Sequence, residues 1–414
     1  MRFTTILAAC AAATTAVAAP SMKRASKPDD KGNTKLLLGN TGHIYIADFK
    51  DDKFSISLNQ SVTGDPAWMA FAEPNRVYAV DEFGATLRLF ILDLDKNTLE
   101  LKAEQTGSAG VVHLEFNRDK TRLVGAGYGA GKIDVWNIEN SDLKLIKTID
   151  SPGPLGPDKN RQATAHPHQA VLDPSGRFFA VNDLGTDTIL LLDSKDDAFE
   201  VVNRVPVSPG GCGPRHGVFV PDEDDDQKTA THYVVVCEMA SLAQVFSLDY
   251  ATDNISFAHA QSVSTYGDTP PPSGQGAAAG EVAISPGADG AYVYVSNRMS
   301  GAATDSIARF RFVVDGGGGG GGSECEPPSS SSSSSPDLLL QYVDSSSTGG
   351  LSPRMFGLAS TPGVEDTLFV GNVEGPVGLV ALVMDRGGAR GVGRVTSDLF
   401  DGPSSGPQFV MPIG

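Results

Sequence analysis

The stretch HPHQAVLDPSGRFFAVNDLGTDTILLLD, residues 166–193, decides the fold. It contains a short β-rich run, the turn Asp173-Pro-Ser-Gly176, a second run from Phe178, a glycine-containing turn and a third run ending at Asp193. Short runs of β-branched and aromatic residues between such turns are typical of antiparallel strands. The stretch therefore predicts three neighbouring strands of one antiparallel sheet.

Six further units share this frame, in which a first β-rich run is followed by a turn and a second run. They cover residues 36–48, 68–82, 113–128, 216–238, 281–298 and 356–372. Second runs that begin near residues 77, 123, 178, 233, 292 and 368 have a period typical of four-stranded propeller blades. The run 407–413 is expected to complete the first blade and close the ring. We therefore predict an all-β, seven-bladed β-propeller.

The expected organisation is a signal peptide at residues 1–19, a flexible, propeptide-like segment at 20–34 and one propeller at 35–414. Within the propeller, runs of Gly and Ser form a low-complexity insertion at 315–336 that is expected to be disordered. Arg2, the alanine-rich run after it and the pattern Ala16-Val-Ala18 favour export. No apolar run is long enough to predict a membrane span. Export would make the sequons at Asn59 and Asn254 glycosylation sites.

Charge and cysteine content narrow the possible partners. The chain has 32 basic and 50 acidic residues, a formal charge of −18, which argues against nucleic acid and anionic membranes but not against a small anion. A bridge between Cys212 and Cys237 is left open, while Cys237 as an unbonded core residue is the favoured interpretation. No Cys/His spacing or nucleotide motif is present, so neither metal nor organic cofactor is expected.

Blade geometry predicts where ionisable side chains collect. The innermost strand of a blade runs antiparallel to the second, so the start of the first and the end of the second meet at one mouth of the channel. Residues near these positions are Glu82, His113, His166, His168, Arg215, Glu238, Glu281, Arg298, Arg354 and Glu374. This set predicts a functional mouth. Period-two alternation lets only one of His166 and His168 point inward, and it turns His216 away from the mouth.

Not every member of this set needs a functional role. His113, Glu82 and Glu281 are equally compatible with structural hydrogen bonds inside the strands. Arg215, Glu238 and Arg298 adjoin apolar runs, where a charge is costly to bury without a partner. These three residues therefore favour a binding or catalytic site.

Several motifs carry a family resemblance: His-Pro-His with Asp-Pro-Ser-Gly-Arg, Gly-Pro-Arg-His, Val-Val-Cys-Glu and Tyr-Val-Ser-Asn-Arg. Together they resemble the lactonase family of seven-bladed propellers, which includes fungal 3-carboxy-cis,cis-muconate cyclases and bacterial 6-phosphogluconolactonases. With its secretory start, the chain is most similar to a secreted, fungal, cyclase-like glycoprotein. The resemblance implies a catalytic set of His168 (or His166), Arg215, Glu238 and Arg298.

The first functional hypothesis is therefore a carboxymuconate cyclase, a cycloisomerase that forms a lactone without a cofactor. Arg215 and Arg298 would hold substrate carboxylates, and Glu238 or His168 would act as general acid–base, the anionic substrate raising the carboxyl pKa. The further contacts expected with this polycarboxylate or lactone come from His166, His113, Glu82, Glu281 and Arg354. One alternative is a secreted cell-surface or cell-wall glycoprotein that binds matrix or wall ligands without turnover. The other is a lactone hydrolase of the 6-phosphogluconolactonase type.

Overall fold

Seven antiparallel sheets of four strands each surround a channel in the part of the chain that the computed structural model describes. The described residues are 33–413, apart from 223–224, 226–227, 273–275, 286–290, 314–338, 360–363, 365, 386–387 and 402–405. The expected signal peptide at 1–19 and the insertion at 315–336 lie outside them. The seven sheets confirm the predicted all-β, seven-bladed propeller.

The strands are numbered along the chain, and each blade is one sheet. Blade 1 contains β1 (Thr34–Asn40), β2 (His43–Lys50), β3 (Lys53–Ser61) and, as its innermost strand, β28 (Phe409–Ile413). Blade 2 contains β4 (Met69–Ala72), β5 (Arg76–Ala79), β6 (Thr86–Asp93) and β7 (Thr98–Thr106). Blade 3 contains β8 (Val111–Phe116), β9 (Arg122–Gly127), β10 (Lys132–Asn137) and β11 (Lys144–Asp150). Blade 4 contains β12 (Pro167–Leu172), β13 (Phe178–Asp183), β14 (Thr188–Asp193) and β15 (Glu200–Pro206).

The other three blades follow the same order from the channel outward. Blade 5 contains β16 (Pro214–Pro221), β17 (Ala230–Cys237), β18 (Leu242–Ala251) and β19 (Asn254–Ser264). Blade 6 contains β20 (Ala278–Ser285), β21 (Ala291–Arg298), β22 (Ser306–Phe312) and β23 (Leu340–Ser347). Blade 7 contains β24 (Leu351–Leu358), β25 (Thr367–Glu374), β26 (Val377–Asp385) and β27 (Gly388–Thr396). Short 3₁₀ turns occur at Glu139–Ser141, Lys195–Asp197 and Ser397–Leu399.

The turn in the fold-deciding stretch shows why this sequence makes a hairpin. The Asp173 Oδ1 accepts the backbone N–H groups of Arg177, at 3.1 Å, and Phe178, at 2.8 Å. Its Oδ2 accepts the N–H of Ser175 at 3.0 Å. Gly176 adopts a φ of 75°, which a residue without a Cβ reaches at little cost. The aspartate thus replaces hydrogen bonds that the turning backbone gives up.

Ring closure occurs as predicted. The C-terminal strand β28 pairs antiparallel with β1, and Leu37 lies opposite Met411. Because β28 is the innermost strand of blade 1, the two ends of the propeller share a single sheet. This pairing covers sheet edges that would otherwise be free to pair with another chain.

Apolar side chains fill the spaces between neighbouring blades. Trp136 is completely buried, and a Cβ on Gly125 would lie 2.5 Å from its Cζ3 atom. The glycine therefore gives the indole ring the room that it needs in a close-packed interior. Among the described residues, no helix has the length and apolar character needed to cross a membrane.

Candidate active site

The innermost strands of five blades are irregular where they begin, at the predicted mouth. In blades 3 to 7 the innermost strand has, near this end, one residue more than the second strand that it pairs with. The irregular positions include His168, Arg215, His216, Glu281 and Arg354. Such β-bulges re-aim side chains and are common beside active sites. Bulges therefore position most of the ionisable groups at this mouth.

Three arginines converge on one carboxylate and form what we call the arginine cluster: Arg161, Arg215, Arg298 and Glu238. Arg161 Nη2 donates to Glu238 Oε1 at 2.5 Å, and Arg298 Nη2 donates to Glu238 Oε2 at 2.9 Å. Arg215 Nε also lies 2.9 Å from Glu238 Oε2, an ionic contact without a hydrogen bond. Arg215 Nη1 donates instead to the carbonyl of Gly280 at 2.9 Å.

Charges within the arginine cluster determine how its members titrate. Burial opposes ionisation of Glu238, but Arg298, Arg215 and Arg161 together lower the pKa of Glu238 to about 2. Burial and the Arg298 charge lower the pKa of Arg215 to about 9, which leaves it protonated at neutral pH. The cluster thus carries three positive charges and one negative charge. The arginines thus lower the pKa of Glu238, so its expected role as general acid–base would depend on an anionic substrate that raises this pKa; His168 is the other candidate for the role.

Beside the arginine cluster, three imidazoles pack across the channel and form the histidine cluster: His113, His168 and His216. The ring centre of His216 lies 5.1 Å from that of His168 and 5.6 Å from that of His113. The indole of Trp68 packs against His113 at 4.3 Å with the rings tilted by 35°, and it meets His216 edge-on at 5.3 Å. The expectation that His216 faces away from the mouth is wrong, because the bulge in β16 interrupts strand alternation.

Burial keeps the histidine cluster neutral. It lowers the pKa of all three imidazoles well below the ordinary range, and neighbouring positive charges lower the pKa of His168 and His216 further. Three ring nitrogens are buried without a hydrogen-bond partner among the described residues: Nδ1 of His113, Nδ1 of His168 and Nε2 of His216. A neutral imidazole with a free basic nitrogen can take up a proton transiently during a reaction, although its lowered pKa makes it a weaker base.

Glu281 is hydrogen-bonded to the histidine cluster. Its Oε1 lies 2.9 Å from His216 Nδ1 and also accepts the N–H of Val282 at 3.0 Å. Burial raises the pKa of Glu281 to about 7, although Arg215 and other positive groups oppose this shift. Glu281 therefore makes the structural hydrogen bonds that the sequence allowed, and its contact with the substrate stays a prediction.

On another part of the mouth, Glu82 and Arg354 form a separate ion pair. Arg354 Nη2 donates to Glu82 Oε2 at 2.6 Å, and Arg354 Nη1 donates to Gln408 Oε1 at 3.0 Å. This pair joins blades 7 and 2 across the end of blade 1. Glu374 is exposed at the end of β25, opposite Leu351 at the start of β24, which is the strand position that the blade geometry predicts.

Only one of the two histidines of the His-Pro-His motif enters the site, but the cause is the bulge at His168 and not strand alternation, because residues two apart in a regular strand share a face. His168 is buried with 6% exposure and meets Tyr128 and His216 edge-on. His166 is half-buried and stacks on Tyr128 at 4.2 Å, with its Nδ1 lying 2.8 Å from the Tyr128 carbonyl oxygen. We therefore place His168 in the site and His166 at its edge.

Two other sequence predictions concern asparagines outside the arginine and histidine clusters. Asn59 is exposed on the outer strand β3, where its side-chain amide donates to Asp401 at 2.7 Å. Asn254 begins β19 and is half-buried. Glycosylation at both positions stays a prediction.

A disulfide braces the arginine cluster. Cys212 and Cys237 are bonded, which corrects the favoured interpretation of Cys237 as an unbonded core residue. Cys212 lies three residues before Arg215, and Cys237 immediately precedes Glu238. The bridge therefore fixes the two backbone segments that carry the most buried ion pair of the mouth.

Sequence reasoning missed Arg161 and misplaced His216. Arg161 lies in the long connection between β11 and β12, outside the strand ends that the blade geometry considers. A local signal for the bulges was present, because Pro167, Pro214 and Pro353 directly precede three of the irregular residues. Proline cannot donate to a strand ladder and is tolerated at such irregular positions.

The site contains no geometry typical of a bound metal. No group of three His, Cys, Asp or Glu side chains suited to a metal ion occurs among the described residues. What the arrangement offers is a positively charged anion site beside neutral proton acceptors.

Comparison with known proteins agrees with this architecture. Residues 32–318 match a family model described as "Lactonase, 7-bladed beta-propeller". A probable 6-phosphogluconolactonase of Arthroderma benhamiae is 30% identical over 276 residues, covering 65% of this chain and 66% of that protein.

Solved structures show the same fold at lower identity. A putative 6-phosphogluconolactonase of Bacteroides fragilis has a TM-score of 0.67 at 24% identity, covering 89% of this chain and 95% of the other. A periplasmic gluconolactonase of Pseudomonas aeruginosa has a TM-score of 0.69 at 20% identity, covering 92% of this chain and 99% of the other. At these identities the likeness concerns the fold.

Proposed function

The chain belongs to the lactonase family of seven-bladed β-propellers, and from this membership we propose that it hydrolyses a lactone bearing an anionic group, as in 6-phosphogluconolactone. The observation that carries the proposal is the arginine cluster, which holds two uncompensated positive charges beside the neutral imidazole of His168. Similarity to a probable 6-phosphogluconolactonase supports the choice of substrate class.

Anion binding follows from the charges. Glu238 neutralises one of three guanidinium groups, so the cluster attracts a phosphate or carboxylate although the whole chain has a formal charge of −18. Side-chain exposure rises from 3% for Arg215 to 12% for Arg298 and 43% for Arg161. Arg298 and Arg161 are thus accessible to a ligand, while Arg215 holds the carboxylate between them in place. Guanidinium groups can bind phosphate or carboxylate through two parallel hydrogen bonds.

Hydrolysis requires a base and a group that stabilises the tetrahedral intermediate. His168 takes a proton from water as the water oxygen attacks the lactone carbonyl carbon. A guanidinium of the arginine cluster stabilises the resulting oxyanion. The ring C–O bond then breaks, and the proton held by His168 passes to the departing alkoxide. The products are a carboxylic acid and a free hydroxyl group.

The hydrolase replaces the cyclase as the first choice. Both reactions would use the arginines to hold an anion and either His168 or Glu238 for proton transfer, and the lowered pKa of Glu238, about 2, favours His168 in both. A relative that is 30% identical is described as a probable 6-phosphogluconolactonase, and this favours the hydrolase. The cyclase and the non-catalytic surface protein become alternative outcomes of the test.

The assay follows release of 6-phosphogluconate from 6-phosphogluconolactone with a coupled dehydrogenase, corrected for spontaneous hydrolysis. We expect the wild type to exceed the blank and Arg298→Ala to lower kcat/KM about 30- to 150-fold, as for the loss of a charge-assisted contact of 2–3 kcal/mol. For gluconolactone, which lacks the phosphate, the same substitution should lower kcat/KM less. Arg122→Ala is the matched control, because this ion-paired arginine is equally shielded, at 13% exposure, and begins β9 at the end opposite the mouth.

Each alternative has its own result. Loss of diene absorbance from 3-carboxymuconate, with no lactone hydrolysis, would establish the cyclase instead. Binding to matrix or cell-wall preparations without turnover of either compound would favour the surface protein. Wild-type lactone hydrolysis no faster than the blank would refute the proposed hydrolase.

We also propose that the protein is exported, possesses N-linked glycans and can attach to the cell wall. The alanine-rich N-terminal run, the exposed Asn59 and the disulfide support export, since structural disulfides are rare in reducing compartments. N-terminal sequencing of protein recovered from culture medium and from cell walls should show a start after residue 19. A peptide-N-glycosidase should increase the gel mobility of the wild type but not of a variant lacking both sequons, and protein confined to the cell interior would contradict export.

A further inference from the structure

A carboxylate–imidazole pair lies behind the proposed base. Glu281 on β20 is 2.9 Å from Nδ1 of His216 on β16, and the two side chains are 7% and 1% exposed. An ionised Glu281 can only accept a hydrogen bond, so a neutral His216 facing it must carry its proton on Nδ1. The other ring nitrogen, Nε2, is then the acceptor. That nitrogen is buried and has no partner among the described residues.

The imidazole of His216 packs against that of His168. The two ring centres are 5.1 Å apart with an interplanar angle of 69°, and Nδ1 of His168 is likewise buried without a partner. The small exposure left to His168 therefore belongs to the part of the ring that carries Nε2. One face of His168 meets the mouth, and the other approaches the His216–Glu281 pair.

We propose that His216 and Glu281 form a proton relay that serves His168, an inference that rests on the proposed lactone hydrolysis. As His168 Nε2 takes the proton from water, the proton on His168 Nδ1 moves to His216 Nε2 through one bridging water molecule, because the two nitrogens share no direct hydrogen bond. The proton on His216 Nδ1 moves at the same time to Glu281. All three groups return to their starting states when the sequence reverses and the proton reaches the leaving oxygen. His216 and Glu281 are thus positioning residues that act through His168.

The proton that leaves His216 ends on Glu281, whose carboxylate can accept it. The charged or titratable groups that act on Glu281 are Arg215, Arg298, His113 and its partner His216. The positive ones favour the carboxylate, whereas burial favours the acid and has the larger effect. Glu281 can therefore exist in either protonation state near neutral pH.

Glu115 provides an internal comparison. It too lies on an innermost strand, β8, and its Oε1 accepts the N–H of the following residue, Phe116, at 2.9 Å. Burial raises the pKa of Glu115 to about 7, as it does for Glu281. Among the described residues no hydrogen bond joins Glu115 to a histidine. Glu115 therefore shares the burial, the innermost-strand position and the backbone hydrogen bond of Glu281 but not its contact with an imidazole or the nearby arginines, and it controls for the loss of a buried carboxyl.

The test measures kcat and kcat/KM for 6-phosphogluconolactone between pH 5.5 and 8.5. For the wild type we expect kcat to rise as Glu281 deprotonates near pH 7. Glu281→Gln should lower kcat 10- to 100-fold at little cost in KM and abolish that rise, while Glu281→Asp should restore part of the rise. Glu115→Gln should keep the wild-type profile. An active wild type whose pH profile is unchanged by Glu281→Gln would overturn the relay and leave the hydrolase standing.

A second measurement does not depend on activity. Nitrogen-15 chemical shifts of the imidazoles report which ring nitrogen carries the proton, and His216 can be assigned by its loss in His216→Gln. We expect the Nδ1–H form in the wild type at pH 8 and a changed tautomer balance in Glu281→Gln, but not in Glu115→Gln. A His216 resonance with the Nε2–H form in the folded wild type would refute the relay even if the wild type had no lactonase activity.

Discussion

Removal of the carboxylate that the three arginines share should destabilise the protein strongly and in a pH-dependent way. Glu238 is 8% exposed at its side chain, and the arginines lower its pKa from 4.5 to about 2. A shift of about 2.5 units at about 1.4 kcal/mol per unit corresponds to about 3 kcal/mol. This agrees with the 3–5 kcal/mol, roughly, that breaking a buried ion pair costs. Glu238→Gln should therefore lower the free energy of unfolding by about 3 kcal/mol at pH 7.5.

The sign of the pH dependence follows from the lowered pKa. A group whose pKa is depressed by folding stabilises the native state above its unfolded pKa, and this contribution is lost as the pH falls from 4.5 towards 2. The difference between wild type and Glu238→Gln should accordingly shrink to about 2 kcal/mol at pH 3.5. Urea unfolding followed by the fluorescence of Trp68 and Trp136 measures the difference at both pH values.

A carboxylate that is half exposed to solvent supplies the control. Glu104 is 49% exposed and pairs at 2.7 Å with the buried Arg88, which also lies 3.6 Å from Asp81. Because solvent screens Glu104 and Arg88 keeps Asp81 as a partner, Glu104→Gln should change stability by less than about 1 kcal/mol at either pH. The reasoning fails if Glu238→Gln costs no more than this control at pH 7.5, or if its cost is the same at pH 3.5.

Three further perturbations test other parts of the structure. Replacing Cys212 and Cys237 by Ser removes a bridge with a sequence separation of 25 and should cost about 3 kcal/mol in thermal or urea unfolding; an unchanged melting temperature would contradict the bond. Because burial lowers the pKa of His113, stability should decline as the pH falls below about 6.5, and His113→Gln should reduce that slope by up to about 1.4 kcal/mol per pH unit. An equal slope in both proteins would be evidence that His113 protonates freely. Gly217→Ala would place a Cβ 2.3 Å from the buried hydroxyl of Tyr233 and should lower the free energy of unfolding by about 1–3 kcal/mol. A denaturant midpoint equal to that of the wild type would show that the ring can move aside.

The sequence predicts the propeller well because the same pattern of strands and turns recurs along the chain. Each unit supplies the same order of run, turn and run, and an error in one copy is corrected by the spacing of the others. The turn aspartate Asp173 and the closing strand Phe409–Ile413 behave as local chemistry predicts. A repeated pattern fixes the topology even where single strand boundaries differ by a few residues.

The site was only partly predictable, because its contacts depend on long-range geometry. Strand ends indicated Arg215, Glu238 and Arg298, and these residues do meet. Arg161 could not be placed, since it reaches Glu238 from a connection whose path the repeat does not determine. The position of His216 was mispredicted because alternation with period two holds only while the ladder is regular.

The bulges explain why the fold can hold so many ionisable groups at one mouth. A regular innermost strand would send alternate side chains to opposite faces of its blade, so adjacent residues such as Arg215 and His216 could not both reach the mouth. The extra residue in β16 removes that restriction and lets Arg215 contact Glu238 while His216 contacts Glu281. The ladder hydrogen bonds lost there are a cost that the disulfide, anchored beside both Arg215 and Glu238, helps to offset. Stability and chemistry are therefore coupled in the same few residues, and substitutions at the bulges should affect both.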